Sequence, residues 1–311
     1  MKIYNDLNKI TLNKNSVVTM GVFDGVHVGH QVIINKLKEI SSQNNLESVL
    51  ITFDPHPRKI IFPNKELFLL TTIDEKISVL NDYNIDNLVI QPFNTELSKL
   101  SKNDFINNFI INKLKAKYFI IGYNHHFGFN REASVEDFSN KQNIYPFETI
   151  IIGNHSVDET NVSSTVIRDY ILNGDIENVN KLLNRYYSIS GIVVKGNNIG
   201  SKIGFPTANI KILDESKLIP KIGVYAVKIK ILNNLYCGML SIGTNPTINN
   251  YNKLSIEVNI FNFNENIYNE NIEIQLIKRI RDEIKFKDLD ELRNHISLDK
   301  EFICKVFNII P

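Results

Sequence analysis

The sequence predicts two domains: an α/β domain built on a parallel sheet, followed by a small antiparallel β-barrel. Three observations carry this expectation. A length of 311 residues exceeds one ordinary core and suits two. The first half alternates short β-branched runs with longer amphipathic segments, the pattern of βαβ units. After Arg185 the texture changes to short strands separated by Gly, Pro and Asn, the spacing of a barrel. The boundary is set between 1–183 and 184–311.

In chain order, residues 16–20 read as a first strand, 29–41 as a helix and 48–53 as a second strand. Two more apolar runs, 87–90 and 118–121, extend the sheet. A helical stretch near 102–114 precedes the last run and presents Phe105, Phe109 and Ile110 to one side. Residues 165–183 turn helical, with Ile167, Ile171, Ile176, Val179 and Leu183 apolar and a turn at Asn173-Gly174-Asp175. Strands are then expected at 187–194, 223–231, 236–242, 254–261 and 271–277, and a closing helix at 289–307 packs on the barrel. The Asn-rich segment 261–271 also alternates like a strand.

Bulk properties exclude several classes. A composition 43% hydrophobic and 22% charged is globular, and 35 basic against 34 acidic residues creates no field that draws nucleic acid or a membrane. Cys237 and Cys304 stand alone, without a CxxC or Cys/His cluster, so neither a disulfide framework nor a zinc site is expected. The opening Met1-Lys2-Ile3-Tyr4 leads into Asn and Asp rather than an apolar core, and no run of roughly 18 apolar residues occurs. A cytoplasmic protein is expected; self-association is compatible with the sequence.

The segment Gly21-Val22-Phe23-Asp24-Gly25-Val26-His27-Val28-Gly29-His30 follows the first strand and opens the first helix, where parallel sheets bind ligands. The glycines let backbone approach a phosphate, the helix N-terminus supplies N–H groups, and His27 and His30 come from one turn. A nucleotide site is expected here.

These residues resemble a known family, the bacterial bifunctional riboflavin kinase/FAD synthetases, whose N-terminal domain is a nucleotidylyltransferase with a His-x-Gly-His motif. Phe53-Asp54-Pro55-His56-Pro57 resembles the family's loop after the second strand, and Ser163-Ser164-Thr165-Val166-Ile167-Arg168 its phosphate-binding Ser-Ser-Thr-x-x-Arg segment. The resemblance runs essentially end to end. It implies a Rossmann-like sheet and an ATP site made by Gly21, Phe23, Asp24, Gly25, His27, Gly29, His30, Ser163, Ser164, Thr165 and Arg168. Cationic donors such as Arg168 can neutralise charge on the α-phosphate and the departing pyrophosphate. FMN's phosphate is already anionic, so positioning and charge neutralisation suffice, without a covalent nucleophile. Gly122-Tyr123-Asn124-His125-His126-Phe127-Gly128-Phe129 resembles the flavin-side segment, implying contacts from Asn124 and Phe127. His125, where the family has an aromatic residue, and Ala133, where Gly is frequent, depart from the pattern and bear on flavin affinity more than on reaction type.

The stretch 191–209 carries Gly196, Gly200 and Gly204, then Pro206-Thr207-Ala208-Asn209. It is no P-loop, since no Gly-Lys-Ser/Thr and no helix follows. Read alone it is a hairpin loop; read with the family it resembles the riboflavin kinase segment that binds Mg-ATP. The resemblance then implies that Thr207 and Asn209 hold Mg2+, with the glycines and Pro206 at ATP. It also implies that Glu257, on the strand 254–260 opposite Leu254, Ile256, Val258 and Ile260, is the general base. Arg279-Ile280-Arg281-Asp282-Glu283-Ile284-Lys285-Phe286 resembles the family's flavin-side loop, implying contacts from Arg281 and Phe286. The partners implied are riboflavin, FMN, FAD and ATP.

Overall fold

The computed structural model describes residues 1–123, 145–158, 160–196, 200, 203–232, 234–245 and 253–310. It divides into two compact units, Met1–Ser164 and Thr165–Pro311.

The first unit is a six-stranded, all-parallel sheet in the order β1-β4-β3-β2-β5-β6. Its strands are β1 (Lys2–Tyr4), β2 (Ser16–Met20), β3 (Glu47–Asp54), β4 (Asn87–Pro92), β5 (Ala116–Gly122) and β6 (Glu148–Ile152), and a separate antiparallel pair, β7 (Ser156–Val157) with β8 (Thr160–Asn161), follows. Successive side chains of a strand face opposite sides, so each strand feeds two cores. Val18, Val49, Ile51 and Phe119 join Phe105 and Ile110 on one side. Val17, Leu50, Leu88 and Ile120 join Ile34 and Leu37 on the other. Both faces are covered, which is why these strands read as continuous apolar runs. Helix α1 (Val28–Asn44) follows β2, and α2 (Pro57–Ile61) follows β3. Helix α3 (Ile73–Asn81) is fixed by a capping box in which Thr72 and Glu75 satisfy each other's backbone N–H. The stretch expected to be helical near 102–114 begins as α-helix (Lys102–Phe105) and continues as a π-helix (Ile106–Lys113).

The second unit begins with helices α4 (Ser164–Asn173) and α5 (Ile176–Leu183), the break falling at the expected Gly174 turn. Asn180 joins α5 to the barrel: its Nδ2 donates to the Leu276 carbonyl at 2.9 Å and its Oδ1 accepts from Tyr187 N at 2.7 Å. Six antiparallel strands close the barrel in the order β10-β13-β12-β11-β14-β9. They are β9 (Tyr187–Val194), β10 (Ala208–Lys211), β11 (Gly223–Ile231), β12 (Asn234–Asn245), β13 (Lys253–Ile260) and β14 (Asn271–Arg281). Closure removes every exposed sheet edge. Helix α6 (Leu289–Phe307) lays Ile303 and Cys304 on Val224, Ala226 and Met239, as its spacing predicted.

One expectation is corrected. The Asn-rich 261–271 segment is irregular until strand β14 begins at Asn271; alternation there lacks the partner strand that alternation needs. The 191–209 stretch is a hairpin, as its turn residues suggest: β9 and β10 pair antiparallel with Asn209 opposite Val194, and β10 pairs in turn with β13 to close the barrel.

Candidate active sites

In the parallel sheet, β3 lies on one side of β2 and β5 on the other, so the chain reverses direction across the sheet between β2 and β5. The carboxyl ends of strands at such a switch point form the ligand crevice. The loop from Gly21 to His27 leaves β2 there. Its shape is enforced from below. Asp24, buried at 3% exposure, accepts N–H bonds from Leu70 (3.0 Å) and Thr71 (3.2 Å). Gly25 N donates to Thr71 Oγ1 at 3.1 Å. Phe23 and Val26 hold φ of 49° and 40° without being glycine, strain that the surrounding bonds must sustain.

His27 caps α1 and accepts from the His30 backbone N–H through Nδ1, at a long 3.4 Å. An accepting Nδ1 places the proton of a neutral ring on Nε2. The two imidazoles stack with centroids 3.6 Å apart, and Phe23 meets His30 edge-on at 5.1 Å. Both expected histidines therefore stand together at a helix N-terminus, where backbone N–H groups and the helix dipole favour phosphate. Ser164 Oγ donates to the Asp24 carbonyl at 2.9 Å, tying the Ser163-Ser164 segment to the same loop. Thr165 and Arg168 follow within the first turns of α4, inside the second compact unit. Asp24 contributes its carboxylate to loop geometry, its oxygens being taken by Leu70 and Thr71. Asn124 and Phe127, with His125 and Ala133, lie outside the described residues.

On the barrel, β13 pairs with β10 and β12 so that Asn209, Glu257 and Ser241 lie directly opposite one another and share one face. Ile256, Val258 and Ile260 point to the buried opposite side. Glu257 accepts from Thr207 Oγ1 and from Ser255 Oγ, each at 3.1 Å. Asn259 donates to the Pro206 carbonyl at 2.6 Å, holding the turn that presents Thr207. A Cβ on Gly196 would fall 2.0 Å from Asn209 Nδ2, and one on Gly200 would fall 2.3 Å from the Phe205 carbonyl and 3.2 Å from Thr207 Oγ1. These glycines are required by close approach: the loop folds back onto the two residues expected at the cation. Gly204, at φ 86°, makes the turn before Pro206. The Thr207 hydroxyl and the Asn209 amide oxygen, gathered beside the Glu257 carboxylate, are oxygen donors suited to a hard cation, so the residues fit Mg2+.

Arg281 and Phe286 are also neighbours, the guanidinium lying 5.9 Å from the ring centroid. Arg281 is largely committed elsewhere. Its Nε donates to both Asp299 oxygens at 3.0 Å, Nη2 reaches Asp299 at 2.6 Å, and Nη1 donates to the Asp282 carbonyl. Asp299, on α6 and 7% exposed, was not anticipated; a long-range partner leaves no local pattern. Arg279 donates to the Ile222 carbonyl at 2.7 Å and to Asp282 at 2.6 Å, pinning the other end of the same segment to the barrel. Hydrogen bonding from Arg279 holds the exposed Asp282 carboxyl below its ordinary range. Glu283 packs at Gly243, where an added Cβ would meet its carboxylate at 2.5 Å.

The FAD synthetase family model matches residues 9–166 and the riboflavin kinase model residues 183–307. A bifunctional riboflavin kinase/FMN adenylyltransferase of Buchnera aphidicola (subsp. Schizaphis graminum) is 40% identical over 100% of both chains. The chain belongs to the bifunctional riboflavin kinase/FMN adenylyltransferase family. Members from Listeria monocytogenes and Bacillus subtilis are 36% and 35% identical, covering 92% and 94% of this chain and 91% and 93% of their own. A solved chain described as a macrolide-efflux protein from Streptococcus pneumoniae shares the fold, with TM-score 0.88, 31% identity, and coverage of 96% of this chain and 97% of its own. Among the described residues, no helix is long and apolar enough to cross a membrane.

Proposed function

We propose that the chain phosphorylates riboflavin to FMN, releasing ADP, and adenylylates FMN to FAD, releasing pyrophosphate. Adenylyl transfer is assigned to residues 1–183 and phosphoryl transfer to 184–311. The observation that carries the reading is the meeting of Thr207, Asn209 and Glu257 on one barrel face, in a chain alignable from end to end with bifunctional relatives.

In the kinase step, Glu257 accepts the proton of the ribityl 5'-hydroxyl as that oxygen attacks the γ-phosphorus of ATP, and ADP leaves. Thr207 and Asn209 would hold Mg2+, which would offset charge on the phosphate oxygens when bound. Gly196, Gly200, Gly204 and Pro206 shape the loop around the phosphates. Arg281 and Phe286 flank the flavin, with Arg281 held by Asp299.

In the adenylyl transfer, a phosphate oxygen of FMN attacks the α-phosphorus of ATP, and the bond to pyrophosphate breaks. His27 and His30, with the N–H groups at the start of α1, donate hydrogen bonds to the phosphates, Arg168 offsets their charge, and Ser163, Ser164 and Thr165 add further donors. Asn124 and Phe127 serve the flavin side. Partners are small molecules, with neither nucleic acid nor membrane involved, in a cytoplasmic protein.

The test is to incubate the purified chain with riboflavin, ATP and magnesium and to follow flavins by chromatography. FMN followed by FAD is expected. FMN without FAD, even from supplied FMN, refutes the adenylyltransferase half; no riboflavin-dependent ATP consumption refutes the kinase half.

A further inference from the structure

Beneath the loop that follows β2 lies a buried cation with no role in the chemistry above. Lys76, on α3, is 5% exposed. Its ammonium donates to the Val22 carbonyl at 2.8 Å and to Thr52 Oγ1 at 3.3 Å. The Thr52 hydroxyl donates to the same Val22 carbonyl at 2.9 Å. Two donors thus converge on one oxygen at the entrance of the nucleotide loop. Burial pushes the Lys76 ammonium below its ordinary range, and the Asp24 and Asp54 carboxylates oppose that fall.

The geometry of a peptide unit makes this contact consequential. The Val22–Phe23 peptide is trans, so fixing its carbonyl toward Lys76 turns the Phe23 N–H to the opposite side. Phe23 itself is held at φ 49°, and its ring lies against His30. A positive charge on the carbonyl oxygen polarises the unit and makes its N–H a better donor to an anion. A methionine of similar length would fill the same space without the cost of burying a charge, so packing alone does not account for a lysine here.

We propose that Lys76 is a positioning residue of the nucleotide site, acting with Thr52 to fix and polarise the Val22–Phe23 peptide for the phosphates of ATP. The inference rests on the adenylyltransferase reading of the first domain and deepens it. It assigns work to a residue outside the glycine and histidine motif. Lys76 does not touch the reacting atoms; it acts through a backbone unit.

The experiment compares Lys76→Met and Thr52→Val with wild type in FAD formation from FMN, varying ATP. FMN formation from riboflavin serves as the internal standard for protein quality. Lys76→Met is expected to raise KM for ATP at least tenfold, Thr52→Val to raise it by less, and both to leave FMN formation unchanged. A lysine that merely supports the fold would lower the active fraction, so that kcat falls while KM for ATP stays constant; that pattern overturns the proposal. Should Lys76→Met fail to fold, Thr52→Val decides alone, since it keeps the cation and removes one donor. An unchanged KM in that variant also overturns the proposal. A wild type that forms no FAD sinks the adenylyltransferase reading and this inference with it, whereas FAD formation with an unmoved KM sinks the inference only.

Discussion

Replacing Glu257 by Gln should separate the two chemistries. The carboxylate accepts hydroxyl bonds from Thr207 and Ser255, each at 3.1 Å. Glutamine has the same shape, and a hydroxyl can reverse from donor to acceptor, so both contacts survive at a folding cost below about 1 kcal/mol. What is lost is the ability to take a proton. General-base catalysis contributes about 10²–10⁴-fold, equivalent to about 3–5 kcal/mol of barrier. FMN formation from riboflavin should therefore fall by at least about two orders of magnitude. KM for ATP should move little because Thr207 and Asn209 remain. FAD formation from supplied FMN should be unaffected, which guards against misfolding. The assay is chromatographic separation of the flavins with ADP measured in parallel. A Glu257→Gln enzyme that phosphorylates riboflavin within tenfold of wild type would refute the role of Glu257 as base.

Other outcomes follow from individual contacts. His30→Ala should cut FAD formation by about 10²-fold through loss of a donor to the phosphates, leaving FMN formation intact. Gly196→Ala places a methyl 2.0 Å from Asn209 Nδ2 and displaces that amide. FMN formation should then need roughly tenfold more magnesium, read from a magnesium titration. Asp299→Ala leaves the largely buried Arg281 without its carboxylate. It should cost about 3 kcal/mol and lower the barrel's Tm by roughly 6–12 °C in a thermal scan. Burial pushes the Cys237 and Cys304 thiols up, so less thiolate exists at any given pH than in an exposed cysteine. Alkylation at pH 8 should be slow in the native protein and complete only in denaturant.

Much of the fold was legible because its cues are local. The apolar runs of β2, β3 and β5 declared a doubly covered sheet, and the 3.6-residue spacing of 289–307 marked α6 with the observed bounds. His27 and His30 were legible because strand, glycines and helix start coincide within ten residues. Glu257 was legible as a face, from the alternation of β13. Its meeting with Thr207 and Asn209 was not, since that depends on β10 pairing with β13 across fifty positions. Asp24 looked like a ligand residue because its partners, Leu70 and Thr71, lie equally far along the chain. Lys76 sat in plain view behind the Thr72-Ile73-Asp74-Glu75 capping box, but only the tertiary fold turns its stem inward to Val22. Charged side chains are usually solvated, so a buried lysine is the kind of residue that composition and periodicity cannot reveal.

The central claim, that one chain performs two different transfers from ATP, is tested most directly by supplying riboflavin with ATP labelled at either the α- or the γ-phosphorus and following the label into products. The γ-label is expected to enter FMN and be retained in FAD, while α-label should be absent from FMN and appear only in FAD. Label from the γ-position alone, with none from the α-position in any flavin, would contradict it.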